Sequence, residues 1–273
     1  MAGVHTHRHF FPFLHFYSGS GRLRWERHGD SIIVYQILRR PERMKLFLSP
    51  FPFDPDALRH ALDRMRDFNR GGPGRVKWIP EEDALDVARL GLAVSFREDE
   101  YIFAREPVMK LEGSGFAKLR QELARARRAG EVTVRRYRPE DEEACVALAE
   151  TWKARLEAAG IRVGGHRTKL TCLAEASRLA PPLLAGMVVE VDGILRGFAF
   201  SGRITGEVGC NYLSTTDANL RGLPYLLCHA LMESLPDLAY FNDGNDAGRP
   251  GLREQKERFR PVRKLGIYGA VTR

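Results

Sequence analysis

The sequence predicts an α/β (α+β) protein of two lobes, each a mixed and mostly antiparallel sheet flanked by helices. Three observations carry this. The 273 residues, 44% hydrophobic and 29% charged, can bury a sizeable core and suit one large domain or two small ones. Short β-branched or apolar runs alternate with segments of helical periodicity along the whole chain. At Gly130 a basic helix stops and the alternation begins again, which places the lobes at 1–130 and 131–273.

In the first lobe, His5, His7 and His9 alternate, so on an extended segment they would share a side and could chelate a metal; without a nearby carboxylate or cysteine, a frayed terminus is the expectation. Ser31 to Leu38 and Met44 to Leu48 read as strands. A helix follows with Asp54 as cap, Pro55 in its first turn and Leu58, Leu62 and Met65 as its stripe, until Gly71, Gly72, Pro73 and Gly74 stop it. Then come a strand over 75–79, a helix over 81–90, and two strands over 92–96 and 101–104. The lobe closes on a bridging helix over 115–129: Leu119, Leu123 and Ala126 form its apolar stripe, while Lys118, Gln121, Arg125 and Arg128 form a basic face suited to phosphate, or simply to solvent.

The second lobe opens on a strand over 132–137 and a helix over 139–159 whose buried side takes Cys145, Leu148, Ala149, Trp152 and Leu156. Another helical segment covers 167–179 and breaks at Pro181 and Pro182. Three strands follow over 186–191, 195–202 and 207–214, the first two joined by the hairpin signal Asp192-Gly193. A helix over 220–235, a strand over 238–241, a helix over 251–260 and a strand over 265–271 complete it.

Bulk properties exclude several classes. No apolar run approaches the roughly 20 residues of a spanning helix. The first 21 residues lack an aliphatic core and a small-residue cleavage pattern, so a cytoplasmic location is expected. Cys145, Cys172, Cys210 and Cys228 are widely spaced and form no CxxC pair, which points to buried thiols and away from zinc or a disulfide scaffold. A net charge of +8 favours an anionic partner: RNA, a phosphate-bearing cofactor or an anionic membrane surface.

The most informative stretch is Phe241 to Pro261, FNDGNDAGRPGLREQKERFRP, a polar turn beyond a buried strand and ahead of a short basic helix. A crevice at such a strand end is the usual ligand position in an open sheet. Arg253 and Lys256, three apart on the helix, could hold a phosphate or a developing oxyanion on one face. Asp246 could orient one of them, accept a proton or bind an ammonium; equally, Asp246 and Arg253 could form an ion pair that braces the turn. Asn242 could bind substrate or satisfy backbone groups of the turn. Trp152 could stack on a base or belong to the core, and Tyr212 could protonate a leaving group or merely pack.

The order strand, two helices, three antiparallel strands, helix, strand, helix, strand resembles the GNAT acyltransferase fold. The resemblance implies a cofactor pyrophosphate loop at Ser214 to Tyr225, where Asn219, Arg221, Gly222 and Leu223 would bind acyl-CoA. Of the Gln/Arg-x-x-Gly-x-Gly/Ala pattern only Gly222 fits, and Pro224 has no N–H to donate.

Nearly the whole chain resembles the family built on the C-terminal domain of phosphatidylglycerol lysyltransferase, two GNAT-like lobes in tandem. Tyr101-Ile102-Phe103 followed by Leu111-Glu112-Gly113 and the Arg120-containing basic helix, then Thr151-Trp152, then the spacing of Asn242, Asp246, Gly248, Gly251, Leu252, Arg253, Lys256 and Pro261 carry it. Gly244-Asn245 departs from the Glu-Gln pair of many relatives. The resemblance implies transfer of an aminoacyl group from aminoacyl-tRNA to a hydroxyl or amine of a lipid or small molecule, with no cofactor required. Under that reaction Asp246, Arg253, Lys256 and Tyr212 are the candidates for catalysis, Asn242 and Trp152 for substrate, and Lys118, Arg120 and Arg125 for tRNA. An acyl-CoA or acyl-carrier-dependent N-acyltransferase, and a non-catalytic module binding RNA or an anionic membrane, are the alternatives.

Overall fold

A computed structural model describes residues 5–17, 21–39, 41–179 and 183–272. The expected break at Pro181-Pro182 lies outside the described residues. Contacts group the chain into two compact units, 1–16 with 101–264, and 17–100 with 265–273. Residues 101–130, expected to close the first lobe, group with the C-terminal elements, because Leu119, Leu123 and Ala126 are buried in one cluster with Leu223, Leu226 and Leu227.

The smaller unit holds β1 (Gly21–His28), β2 (Ser31–Arg39), β3 (Glu42–Leu48), α2 (Pro55–Phe68), β4 (Arg75–Pro80), α3 (Glu81–Arg89), β5 (Leu92–Ala104) as far as Glu100, and β11 (Arg263–Thr272) from Leu265. Its strands lie in the order β1-β2-β3-β4-β11-β5, with β3 and β4 parallel across the α2 crossover. Asp54 caps α2 as expected, its carboxylate accepting from the Asp56 and Ala57 amides. Leu58, Ala61 and Met65 of α2 pack on Ile33, Leu46 and Val76 of the sheet.

Two expectations change here. The strands at 92–96 and 101–104 are one strand, β5, since the intervening Glu100 is fully buried within it rather than set in a turn. β1 was not foreseen: GRLRWERH has no apolar alternation because β1 is an edge strand, paired only with β2, and Trp25 stays 74% exposed.

The larger unit holds α1 (Phe11–Phe16), α4 (Arg105–Lys110), α5 (Ala117–Arg127), β6 (Val132–Arg136), α6 (Glu142–Ala158), α7 (His166–Glu175), β7 (Ala185–Val191), β8 (Ile194–Arg203), β9 (Val208–Thr216), α8 (Leu223–Ser234), β10 (Tyr240–Asn242) and α9 (Pro250–Arg258). β6 to β9 pair antiparallel in sequence order; β10 then runs parallel to β9 and antiparallel to Tyr101–Ala104 of β5. Strand alternation feeds two helical layers. Val189, Val191 and Ala199 face α5 and α8, whereas Val188, Phe198 and Phe200 face Cys145 and Ala149 of α6 and Cys172 of α7.

The segment from His5 to Phe16 is packed, not frayed as expected. His7–His9 forms a single 3₁₀ turn, and Phe10 and Phe16 are buried in the cluster with α6 and α7. That turn replaces the extended segment on which the histidines would have lined up, and no group of three potential metal ligands exists among the described residues. The four cysteines are free thiols and buried, as expected.

Candidate active site

The parallel pairing of β9 with β10 ends at Cys210 opposite Asn242. Beyond it β9 continues to Thr216 on β8, while the other chain turns away at Asp243. This splay leaves a cleft of about 170 Å³, lined by Asn211, Tyr212, Ser214, Cys228, Asp243, Asn245, Gln255 and Lys256 among others. Chemistry rather than size singles it out, since an ammonium, a carboxylate, a phenol, a thiol and carboxamides meet at a strand end.

Lys256 supplies the ammonium. It is 3% exposed, and its Nζ donates to the carbonyl oxygen of Asp243 and, across 2.5 Å, to Asp243 Oδ2. A lysine carries three protons; two are engaged, and the third remains for a ligand in the cleft.

Tyr212 lies among Phe10, Phe13 and Phe16, with ring centroids 5.5–6.5 Å away. Its hydroxyl is buried and meets no partner among the described residues. Burial raises its pKa, so the hydroxyl stays protonated as a donor. Cys228 Sγ, 3.1 Å from Asn211 Nδ2, is likewise pushed upward by burial and is no thiolate.

Asp246 stands in a different arrangement. Oδ2 accepts from Arg253 Nε at 2.7 Å and from the Tyr101 hydroxyl at 3.0 Å, and Oδ1 accepts from the Gly248 amide at 2.9 Å. Burial alone would raise its pKa, but the Arg253, Gly248 and Tyr101 hydrogen bonds hold the carboxyl below its ordinary range. The shared face expected for Arg253 and Lys256 is therefore divided: Arg253 is solvent-exposed and turned to Asp246, Lys256 is buried and turned to Asp243. Asn242, fully buried, braces backbone: its Oδ1 accepts from the Gly244 amide at 2.8 Å and its Nδ2 donates to the His5 carbonyl at 3.1 Å.

The remaining expected residues lie apart from the cleft. Trp152 is not sealed in the core; it lines a cavity of about 500 Å³ together with Arg155, Arg196, Thr216 and Asn219. Arg120 is spent on the Leu111 and Gly113 carbonyls, at 2.5 and 2.9 Å. Arg125 pairs with Glu122, and Lys118 is exposed on α5.

The expected pyrophosphate loop lies against α5 at Gly222. Gly222 has φ +90°, and a Cβ there would stand 2.4 Å from the Glu122 carbonyl oxygen and 2.8 Å from the Ala126 amide nitrogen of α5. Leu223 is fully buried, while Asn219 and Arg221 face solvent. Asp243, Asn211 and Cys228 were not foreseen as site residues; Asp243 adjoins Asn242, but its pairing with Lys256 spans 13 residues and is made only in space.

An antiparallel sheet that splays between one parallel pair is the architecture of the GNAT-like fold. The family model described as "Phosphatidylglycerol lysyltransferase, C-terminal" matches residues 3–271, and the chain belongs to that family. It is thus an acyl- or aminoacyltransferase by class.

Solved structures repeat the fold. A conserved protein of unknown function from Bacteroides thetaiotaomicron is 18% identical with a TM-score of 0.85, over 97% of this chain and 91% of that one. The C-terminal domain of a candidate lysylphosphatidylglycerol synthetase from Agrobacterium fabrum is 20% identical with a TM-score of 0.72, over 93% and 85%. L-PGS from Bacillus licheniformis is 17% identical with a TM-score of 0.72, over 99% and 88%. No curated protein sequence matches the chain significantly. No helix among the described residues is long and apolar enough to cross a membrane.

Proposed function

We propose that the protein transfers an aminoacyl group from aminoacyl-tRNA to a hydroxyl or amine of a lipid or small molecule, at the splay between β9 and β10. The observation that carries this is the packing of α5 against Gly222 in the expected pyrophosphate loop of a chain of this family. With α5 packed against Gly222 and no N–H on Pro224, the helix N-terminus that would cradle coenzyme A has less room and one donor fewer. A charged tRNA brings its acyl group already activated as an ester and needs no such cradle. Family membership and the names of the Agrobacterium and Bacillus neighbours support the same reading.

In this reading the acyl carbonyl enters the cleft. Attack by the acceptor develops negative charge on the carbonyl oxygen, and Lys256 Nζ is the fixed donor the cleft offers it; the Tyr212 hydroxyl, packed against Phe10, Phe13 and Phe16, is a second donor once that packing opens. Asp243 holds the Lys256 ammonium in place. Asp246, with both oxygens committed, positions the loop through Arg253 and Tyr101 rather than taking a proton. Lys118 and Arg125 on exposed α5 are the tRNA-facing cations, and contact with an anionic membrane surface would use the same excess of positive charge.

The test is incubation with a set of tRNAs charged with labelled amino acids, together with a lipid and metabolite extract. Label should move from tRNA to a low-molecular-weight or lipid product. Calorimetry with acetyl-CoA and longer acyl-CoAs runs in parallel; CoA binding without any use of charged tRNA would replace this reading with CoA-dependent acylation. Salt-sensitive tRNA binding with no transfer would reduce the protein to a binding module.

A further inference from the structure

One charged cluster is left unused by the proposed chemistry. Lys169 of α7 is 8% exposed, yet no carboxylate pairs with it among the described residues. Its Nζ donates to Thr215 Oγ1 at 2.5 Å and stands 4.0 Å from the centroid of the Trp152 ring. A hydroxyl and an aromatic face do not replace the solvation of an ammonium. Burial accordingly pulls its pKa down to about 8, and the charge of Arg249, just ahead of α9, pushes in the same direction. Arg249 also has no acidic partner among the described residues. A buried ammonium with no counter-ion, within reach of a second cation's charge, is an unbalanced arrangement that an anionic ligand would complete.

The cluster borders the cleft. β9 lines the cleft with Tyr212 and Ser214 and gives Thr215 to Lys169, and the loop after β10, which gives Asp243 to the cleft, also carries Arg249, whose charge reaches Lys169. Trp152, under the Lys169 ammonium, is also a wall of the cavity of about 500 Å³. With so little of Lys169 exposed, a single small group suits it and a nucleic-acid backbone, whose phosphates are met by surface cations, does not.

We propose that Lys169 and Arg249, with the Thr215 hydroxyl and the Trp152 ring, form a subsite for a single compact oxyanion, a phosphate or carboxylate, carried by the molecule that accepts the acyl group. The assignment to the acceptor rests on acyl transfer at the adjacent cleft; the subsite itself does not. An anion held there would replace the missing counter-charge, while the body of the acceptor occupied the cavity beside Trp152.

The experiment is titration of the full chain with inorganic phosphate, methyl phosphate and acetate, followed by calorimetry and by tryptophan fluorescence. The wild type should bind at least one of the three, and K169M and R249Q should each weaken binding by about tenfold or more. The fluorescence response should vanish in W152F. Methyl phosphate outcompeting acetate would assign a phosphate-bearing acceptor, and the reverse a carboxylate. Lys169→Met fills a similar volume without charge; if it fails to fold, R249Q carries the measurement at a less buried position. Absence of oxyanion binding in the wild type, or equal binding in the folded variants, overturns the subsite. Charged-tRNA transfer assayed on the same samples separates the two ideas: an active protein that binds no oxyanion loses only the subsite, and an inactive one that binds through Lys169 loses only the transfer reading.

Discussion

Arg253 Nε and Asp246 Oδ2 are 2.7 Å apart, and the same carboxylate oxygen receives the Tyr101 hydroxyl at 3.0 Å. The pair thus ties α9 to the turn after β10 and to the end of β5. Because the folded pKa of Asp246 lies below its ordinary value of 3.8, the folded state releases the proton more readily than the unfolded chain does. Its stabilisation is present above that value and is lost as pH falls through the folded pKa. Thermal unfolding followed from pH 6 to pH 2 should show this loss in the wild type, and D246N should flatten that part of the profile. At neutral pH D246N should cost about 1–2 kcal/mol and lower transfer modestly, since it loosens the loop. A D246N protein of full stability with transfer abolished would instead make Asp246 a proton acceptor.

Lys256 and Asp243 form a buried pair, so removing one partner strands the other. K256M should destabilise by about 3–5 kcal/mol, and the double variant D243N/K256M should regain most of that. Transfer should stay about a hundredfold down in the double variant, because the oxyanion donor is gone. Chemical denaturation and single-turnover kinetics on the same preparations check both halves. Recovery of transfer together with stability would leave Lys256 a purely structural role.

Much of this site's frame was legible in the sequence, because it is built from local rules. The Asp54 cap, the alternation of Val188 and Val189 and the stripe of Leu119, Leu123 and Ala126 each follow from period and cap chemistry alone. The spacing from Asn242 to Pro261 singled out the loop and helix that carry Asp243 and Lys256, yet it did not separate Arg253 from Lys256. On a bare helix they are neighbours; only the depth at which α9 packs makes one an exposed brace and the other a buried donor. Lys169 reads as an ordinary polar residue of a helix, and its isolation appears only when Trp152 and Thr215, 17 and 46 residues away, come to meet it.

Gly222 joins α8 to α5 by having no side chain. G222A should be destabilising by about 2 kcal/mol or more, as it places a Cβ 2.4 Å from the Glu122 carbonyl oxygen and forces φ +90° on an alanine. Denaturant midpoints would measure this. A neutral G222A would show that α5 can withdraw, which would reopen the helix N-terminus to a pyrophosphate and revive coenzyme A as donor.

Tyr212 offers the sharpest separation of stability from chemistry. Its hydroxyl is buried without a partner, so Y212F removes an unsatisfied group while keeping the ring against Phe10, Phe13 and Phe16. Stability should hold or rise, by up to about 1 kcal/mol. Transfer should fall roughly 10- to 100-fold, since the hydroxyl finds its acceptor only when the carbonyl oxygen becomes an oxyanion, and the loss should appear in kcat more than in KM. An unaltered kcat in a well-folded Y212F would remove Tyr212 from the mechanism and leave Lys256 as the donor on which the cleft depends.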